Sequence, residues 1–213
     1  MAADKIRPEK RVIIAGGGPA GLFCAYCLVK AGITVDLYDQ MEKPGRKFIL
    51  AGVSGLNITN SENFEQFVSR YGKDESLFRQ LLLSFSPSDL VKWYNSLGVE
   101  TFTGNAGRVF AKTPGADLIV DKWKSILDSS GIFNFYGKHR ISEILQDKTL
   151  VFETAEGKRK TVKTDCAVFA LGGASWPATG SDGRWSGVFS RAGITVIPFR
   201  PANCGFETGW SGA

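Results

Sequence analysis

One histidine stands among 213 residues, and no cysteine or carboxylate group is spaced to join it around a metal. A structural zinc site is not expected on ligand number alone. Four cysteines are too few for a disulfide scaffold and point to a reducing compartment. No run approaches the ~18 apolar residues that a membrane span needs. The start, Met1 to Arg11, is charged and lacks the apolar stretch of a signal peptide. The expectation is a cytoplasmic protein with no membrane partner. There is no basic helix or long basic stripe. Basic residues come in short groups, Lys10-Arg11, Arg46-Lys47, Lys138-His139-Arg140 and Lys158-Arg159-Lys160. Nucleic acid is therefore not expected as a partner. No Ser/His/Asp set and no carboxylate pair is readable, so no acid–base chemistry can be read from the side chains.

What the chain does have is apolar residues and glycine. Hydrophobic residues make up 43% and charged residues 22%, enough for a packed core. Of the 25 glycines, 14 lie at 16–21, 52–55, 172–187 and 205–212, a distribution of special turns and not of a flexible linker. Arg11 to Ala15 reads as a buried parallel strand. Pro19 to Ala31 reads as an apolar helix capped by Gly32, and Ile33 to Tyr38 as the next strand, ending at Asp39. This is a βαβ unit. Residues 41–61 read as loop. Helices are predicted over Phe64 to Tyr71, Glu75 to Ser84, and from Ser86-Pro87-Ser88-Asp89 to Leu97, the last with a strong start signal. Residues 99–115 read as a hairpin, and Ala116 to Ser129 as a helix. Ile132–Tyr136, Ile141–Leu145, Leu150–Thr154 and Thr161–Val162 read as a small antiparallel meander, with Lys158-Arg159-Lys160 in a turn. Cys166 to Leu171 is an unbroken apolar run ending in Gly172-Gly173, and reads as another central strand. The fold class is α/β, a Rossmann-like domain with a parallel central sheet, helices and a small antiparallel β-meander.

Gly16-Gly17-Gly18-Pro19-Ala20-Gly21 has the G-x-G-x-x-G form, with a strand before it and a helix after it. Gly16 permits the tight turn, Gly18 lets a pyrophosphate approach the backbone, and Gly21 lets the helix pack against the strand. The helix N-terminus offers free N–H groups and partial positive charge to phosphates. Asp39 lies beyond Gly21 at close to the ~20 residues usual for the acidic partner of such a turn. It is placed to accept from ribose hydroxyls and to repel a 2′-phosphate. The loop alone does not separate FAD from NAD.

Three further features favour FAD. The strand ending Ala170-Leu171-Gly172-Gly173 resembles the second FAD signature of two-dinucleotide-fold flavoproteins, with Leu171 for the usual Thr. The meander is typical of that fold. The loop carrying Pro44-Gly45-Arg46-Lys47 and Gly52-Val53-Ser54-Gly55-Leu56-Asn57 brings charge and bare backbone beside the glycine turn. On Gly16–Leu22, Lys43–Asn60, Phe85–Phe110, Leu171–Gly183 and Pro198–Ala202, the chain resembles the FAD-dependent flavoproteins that include aminoacetone oxidase-like and bile-acid-precursor reductase-like proteins. That family's second loop usually reads Gly-Gly-Gly-Arg-Cys-Asn; here the Arg and Cys are missing, which implies a divergent subgroup. The resemblance implies a cofactor site of Gly16, Gly18, Pro19, Ala20, Gly21, Asp39, Gln40, Arg46, Lys47, Gly52, Gly55, Asn57, Ile141, Ala170, Gly172, Gly173, Trp176, Gly180 and Asp182. Arg46 and Lys47 would lie near ribose or phosphates, Ile141 would offer its backbone to adenine, and Trp176 would lie along the flavin. Arg108, in Gly107-Arg108-Val109-Phe110, matches a family motif and would take a substrate-side role.

The resemblance also implies a domain inserted near residue 200. Residues 1–200 then form the FAD-binding part and 201–213 the start of a truncated inserted domain. The expected function is FAD-dependent oxidation or reduction of a small-molecule substrate, with NAD(P)H as a candidate reductant. An FAD-binding remnant without turnover and a nicotinamide-only dehydrogenase stay open. Cys24 and Cys27 form C-x-x-C inside an apolar helix and read as packing residues, as does Cys166. His139 reads as structural. Trp176, Trp185 and Trp210 are candidates to border a pocket.

Overall fold

A computed structural model describes residues 11–53, 55–112, 115–164 and 166–200. The tail 201–213, with Trp210, lies outside them. The central sheet is all parallel and has four strands, β1 (Arg11–Ala15), β2 (Thr34–Tyr38), β6 (Phe133–Tyr136) and β10 (Ala167–Phe169), in the order β10-β1-β2-β6. Helix α1 (Pro19–Lys30) crosses from β1 to β2 and completes the βαβ unit. After β2 come α2 (Arg46–Ala51), β3 (Asn57–Asn60), α3 (Phe64–Ser69), α4 (Glu75–Ser84), α5 (Pro87–Ser96), β4 (Thr101–Thr103) and β5 (Arg108–Ala111). Strands β3, β5 and β4 form a three-stranded sheet in that order. Helix α6 (Ala116–Asp128) precedes β6, and a separate antiparallel sheet joins β7 (His139–Ile144), β8 (Thr149–Thr154) and β9 (Arg159–Lys163). Helix α7 (Trp185–Arg191) lies beyond β10 and packs on β7.

The two faces of the parallel sheet explain its apolar strands. Successive side chains of a strand point to opposite faces. Val12, Ile14, Val35 and Leu37 enter one cluster with Leu22, Ala25, Trp93, Ile119 and Trp123 from the helices. Ile13, Ala15 and Tyr38 enter a second with Ile141, Leu150 and Phe152 of the meander and Val188 of α7. A sheet covered on both faces favours apolar strands, and the buried Asp36 of β2 is paired with Asn134 of β6 at 2.8 Å and Arg11 of β1 at 3.0 Å. Leu22 and Ala25 are fully buried beneath the first glycine turn and fix α1 against the sheet.

Several expectations are corrected. The run 132–136 does not belong to the meander. Phe133 to Tyr136 pairs parallel with Val35 to Tyr38 and extends the central sheet, leaving a meander of three strands. Arg159 and Lys160 lie within β9 and not in a turn. Residues 41–61 hold a short helix and a strand, β3, which pairs with β5. Cys27 is exposed on α1 and Cys24 only half-buried, because only one stripe of the helix faces the sheet. Cys166 is also exposed, lying just before β10 begins. These three thiols are free, and burial pushes Cys24 and Cys27 up, the opposite of a reactive redox pair.

Candidate functional site

Two cavities meet at the C-terminal ends of β1, β2 and β10, the position where open α/β sheets bind ligands. One, of about 690 Å³, is lined by Gly16, Asp39 and Gln40 on one side and by Ile141, Phe152 and Val188 on the other. The second, of about 580 Å³, is lined by Gly18, Pro19, Ala20, Arg46, Lys47 and Ser181, among others. Asp39, Leu171, Gly180 and Trp185 border both, so the two form one continuous trough.

The glycine turn builds the floor. Gly16 has a φ of +109, and a Cβ there would stand 2.2 Å from the Ala170 carbonyl oxygen. Only glycine can turn the chain at that point between β1 and β10. A Cβ on Gly21 would lie 1.8 Å from the Gly16 oxygen, so glycine lets α1 close onto the turn. Gly18 differs. It is the N-cap of α1 with φ −73 and ψ −176, a conformation open to any residue, and no protein atom lies within 4 Å of a Cβ placed there. Nothing in the described protein requires glycine at 18. Helix α1 has no side-chain cap and no acidic residue in its first turn, so its first N–H groups and its positive end remain for a ligand.

Asp39 locks this turn to β2. Its carboxylate accepts from the Gly17 N–H at 2.5 Å and from the Met41 N–H at 2.6 Å. Burial pushes the Asp39 carboxyl up, while these two donors act in the opposite sense. Each carboxylate oxygen keeps a further lone pair for the trough. Gln40 donates from Nε2 to the Gly180 carbonyl at 2.5 Å, tying the β2 end to the loop after β10. Its amide group serves the frame. Trp185 donates from Nε1 to the Gly172 carbonyl at 3.0 Å and holds the same loop from the other side.

The meander contributes an edge. His139 donates its backbone N–H to the Asp39 carbonyl at 2.8 Å. Alternate residues of a strand turn their backbone groups to the same edge. Ile141, two residues on, therefore turns its N–H and C=O to that edge of β7, which is unpaired in its sheet and lies beside the larger cavity that Ile141 lines.

Of the residues expected from the sequence, Gly16, Gly18, Pro19, Ala20, Asp39, Gln40, Arg46, Lys47, Ile141, Ala170, Gly172, Gly180 and Asp182 line the trough. Gly21 sits beneath it. Gly173 follows a lining residue and, like Gly18, has no protein atom within 4 Å of a Cβ placed there. Trp176 stands in the loop above, 41% exposed, and lines neither cavity. Gly52, Gly55 and Asn57 also line neither. A Cβ on Gly52 would meet that of Ala116 at 2.4 Å, so this glycine serves α2–α6 packing. Gly55 has a φ of +120, a backbone reason for glycine, and Asn57 opens β3 opposite Phe110.

Ser181 lies in the Leu171–Gly183 stretch that carries the resemblance, but is not among the site residues expected from the sequence. It is 5% exposed, lines the smaller cavity, and its Oγ has no hydrogen-bond partner among the described residues. A serine's lack of a partner is visible only in the fold. Buried polar atoms are nearly always satisfied; the indole nitrogens of Trp93 and Trp123 also have no partner among the described residues, but of the three groups only Ser181 lines a cavity. Among the described residues no group of His, Cys, Asp and Glu could hold a metal, and no helix is long and apolar enough to cross a membrane.

Solved structures share this fold at low identity. A flavocytochrome c3 fumarate reductase matches with a TM-score of 0.58 and 20% identity, covering 82% of this chain and 37% of that one. A 3-ketosteroid-delta4-(5alpha)-dehydrogenase from Rhodococcus jostii RHA1 matches with a TM-score of 0.58 and 14% identity, over 79% and 47%. Two curated proteins named ribosomal RNA dihydrouridine synthase are similar in sequence. The one from Escherichia coli is 26% identical over 88% of this chain, and that from Haemophilus influenzae 28% over the same share. The chain spans 46% of the length of each. A trough built on a β1–α1 glycine turn agrees with the family profile, which matches residues 10–208; the chain belongs to the family described as the HI0933-like protein Rossmann domain.

Proposed function

We propose that the trough holds FAD and that the chain is the cofactor-binding part of a flavin-dependent oxidoreductase. One observation carries the reading. Gly18 and Gly173 alone among the described glycines have neither a left-handed φ nor a protein atom within 4 Å of a Cβ placed on them. Bare backbone with no conformational or packing reason is what a ligand in close contact requires. Such positions on both the β1–α1 turn and the loop after β10 suit a long dinucleotide lying across both. The adenosine would occupy the larger cavity, with the Ile141 backbone edge toward adenine and Asp39 toward ribose. The pyrophosphate would sit at the α1 N-terminus, with Lys47 to balance its charge. The Ser181 hydroxyl would meet a polar atom of the flavin half. Bound FAD supplies hydride or electron transfer, and the residues of this chain bind and orient it.

For the substrate, the names of the curated relatives favour a nucleobase in RNA over the free small molecule expected from the sequence. The narrower likeness to aminoacetone oxidase-like and bile-acid-precursor reductase-like proteins rests on the loop motifs alone, and with it NAD(P)H as reductant. The test is direct. The purified chain, supplied with FAD, should show a bound-flavin spectrum that bleaches on anaerobic addition of NADH or NADPH. Bound flavin that does not bleach removes the nicotinamide reductant. Absence of bound flavin at saturating FAD overturns the FAD reading.

A further inference from the structure

Six positive side chains, Lys43, Arg46, Lys47, Arg140, Arg184 and Arg191, line the trough, and the protein does not treat them alike: Arg140 pairs with Glu153 at 3.2 Å, and Arg191 donates to the Ser142 carbonyl at 3.3 Å. Lys47 donates from Nζ to Ser175 Oγ at 2.5 Å. This contact brings the start of α2 against the loop after β10. Arg46 and Trp176 are the immediate chain neighbours of its two ends. Arg184 is paired with Asp182 at 3.7 Å. Lys43 and Arg46, by contrast, line the smaller cavity, are exposed, and have no ion-pair or hydrogen-bond partner among the described residues.

Trp176 is held rigidly while its ring stays in solvent. Its backbone pairs with Ser181 in an isolated β-bridge, with N–O distances of 3.2 and 3.3 Å. The Trp176 carbonyl also accepts from the Thr179 N–H at 3.0 Å and from Thr179 Oγ1 at 2.8 Å. These hydrogen bonds fix the peptide that carries a 41% exposed indole. A large aromatic ring so presented is not explained by packing. It costs little further entropy to use as a stacking surface, because its backbone is already fixed.

Unpaired cations and a fixed, exposed aromatic on one rim form the pattern that binds single-stranded nucleic acid. The cations hold phosphates and the ring stacks an unpaired base. We propose that Lys43, Arg46 and Trp176 form the entry rim for a single-stranded RNA segment whose base is presented to the flavin half of the trough. This rests on the FAD reading for its purpose, and it moves Arg46 and Trp176 from the cofactor, where resemblance puts them, to the substrate. The sequence hides the rim because its cations lie in one short loop and its tryptophan far along the chain, after β10.

The experiment is fluorescence anisotropy of a labelled oligouridylate of about ten nucleotides, titrated with the FAD-supplied chain across a range of salt. FAD affinity is read in parallel from the visible spectrum. The wild type should bind the oligonucleotide, and an RNA duplex of the same length should compete poorly. Lys43→Glu with Arg46→Glu should weaken binding at least about tenfold. Two lost phosphate contacts should lower the log–log salt slope by about 1.4. Trp176→Ala should weaken binding about five- to a hundredfold, at unchanged salt slope, and Trp176→Phe should restore most of it. No RNA binding by the wild type, or variants that bind as the wild type does, would overturn the proposal. So would FAD affinity falling in step with RNA affinity, which would return these residues to the cofactor. If the wild type takes up no flavin, the FAD reading fails by itself, and anisotropy on the same chain still decides the rim.

Discussion

Replacing Ser181 with alanine separates a ligand-facing hydroxyl from a structural one by the sign of two effects. Among the described residues the Ser181 Oγ is buried without a partner. Burying a hydroxyl so costs roughly 1–3 kcal/mol by protein mutational data. Removing it should therefore recover part of that cost, less the packing given up around Gly172, where an added Cβ would stand 2.7 Å from the same Oγ. Without FAD the Tm should hold or rise by a few degrees, since 1 kcal/mol shifts a chain of this size by roughly 2–4 °C. On FAD affinity the expected effect has the opposite sign. A lost hydrogen bond of about 0.5–1.5 kcal/mol weakens affinity about two- to twelvefold. At FAD equal to a hundred times the wild-type Kd, ligand stabilisation is about 2.7 kcal/mol; a site tenfold weaker retains about 1.4 kcal/mol. Thermal melts with and without FAD measure both effects on one sample. A Tm without FAD lowered by more than about 4 °C, the equivalent of roughly 1–2 kcal/mol, with unchanged FAD affinity, would refute the reasoning and make Ser181 a packing residue.

Three other outcomes rest on the same geometry. Gly18→Val should leave the fold intact, because its φ is ordinary and its surroundings are open, yet abolish FAD binding; circular dichroism and the flavin spectrum together decide it. Leu22→Ala removes a side chain 1% exposed beneath the glycine turn. It should cost ~2–5 kcal/mol in urea unfolding. At α5, the Ser86 hydroxyl, the Ser86 N–H and Lys92 hold the Asp89 carboxyl down to about 2, from an ordinary 3.8. A carboxyl lowered on folding stabilises above its unfolded value and loses that contribution as pH falls toward its folded one. The wild type should therefore lose stability between about pH 4 and pH 2, and Asp89→Asn should flatten that part of the urea-midpoint profile.

Local signals reach far along this chain. The capping box of Ser86 and Asp89, with Pro87 at the first helical position, fixes the start of α5 without help from tertiary structure. The β1–α1–β2 unit is equally legible, because apolar strands and a glycine turn are short-range patterns. What short-range pattern cannot give is a strand's partner. Phe133-Asn134-Phe135-Tyr136 has the composition of a meander strand, yet Asn134 donates to Asp36 of β2 at 2.8 Å and the strand joins the parallel sheet. The polar strand Asn57–Asn60 gains its identity only from β5, which follows three helices later. Cys27 shows the same limit: an apolar helix does not state which stripe faces the sheet.

The glycines reveal most about the site, because one residue type answers three demands that the fold tells apart. At Gly16 the backbone dictates glycine through a left-handed φ, and at Gly21 and Gly52 a neighbouring atom dictates it through contact. Sequence pattern groups Gly52 with the cofactor-binding glycines, but the Ala116 side chain already accounts for it. Gly18 and Gly173 are left with no such account. They lie on different connections of the fold: Gly18, before α1, lines the smaller cavity, and Gly173, after β10, follows the lining residue Gly172. A protein that needed only to fold would gain by replacing either, since a residue with a Cβ loses less chain entropy there. On the FAD proposal both stay bare, beside a buried hydroxyl with no partner among the described residues, because the cofactor contacts all three. A single extended dinucleotide would account for all three; without it, two unrelated small ligands would have to be invoked to do the same.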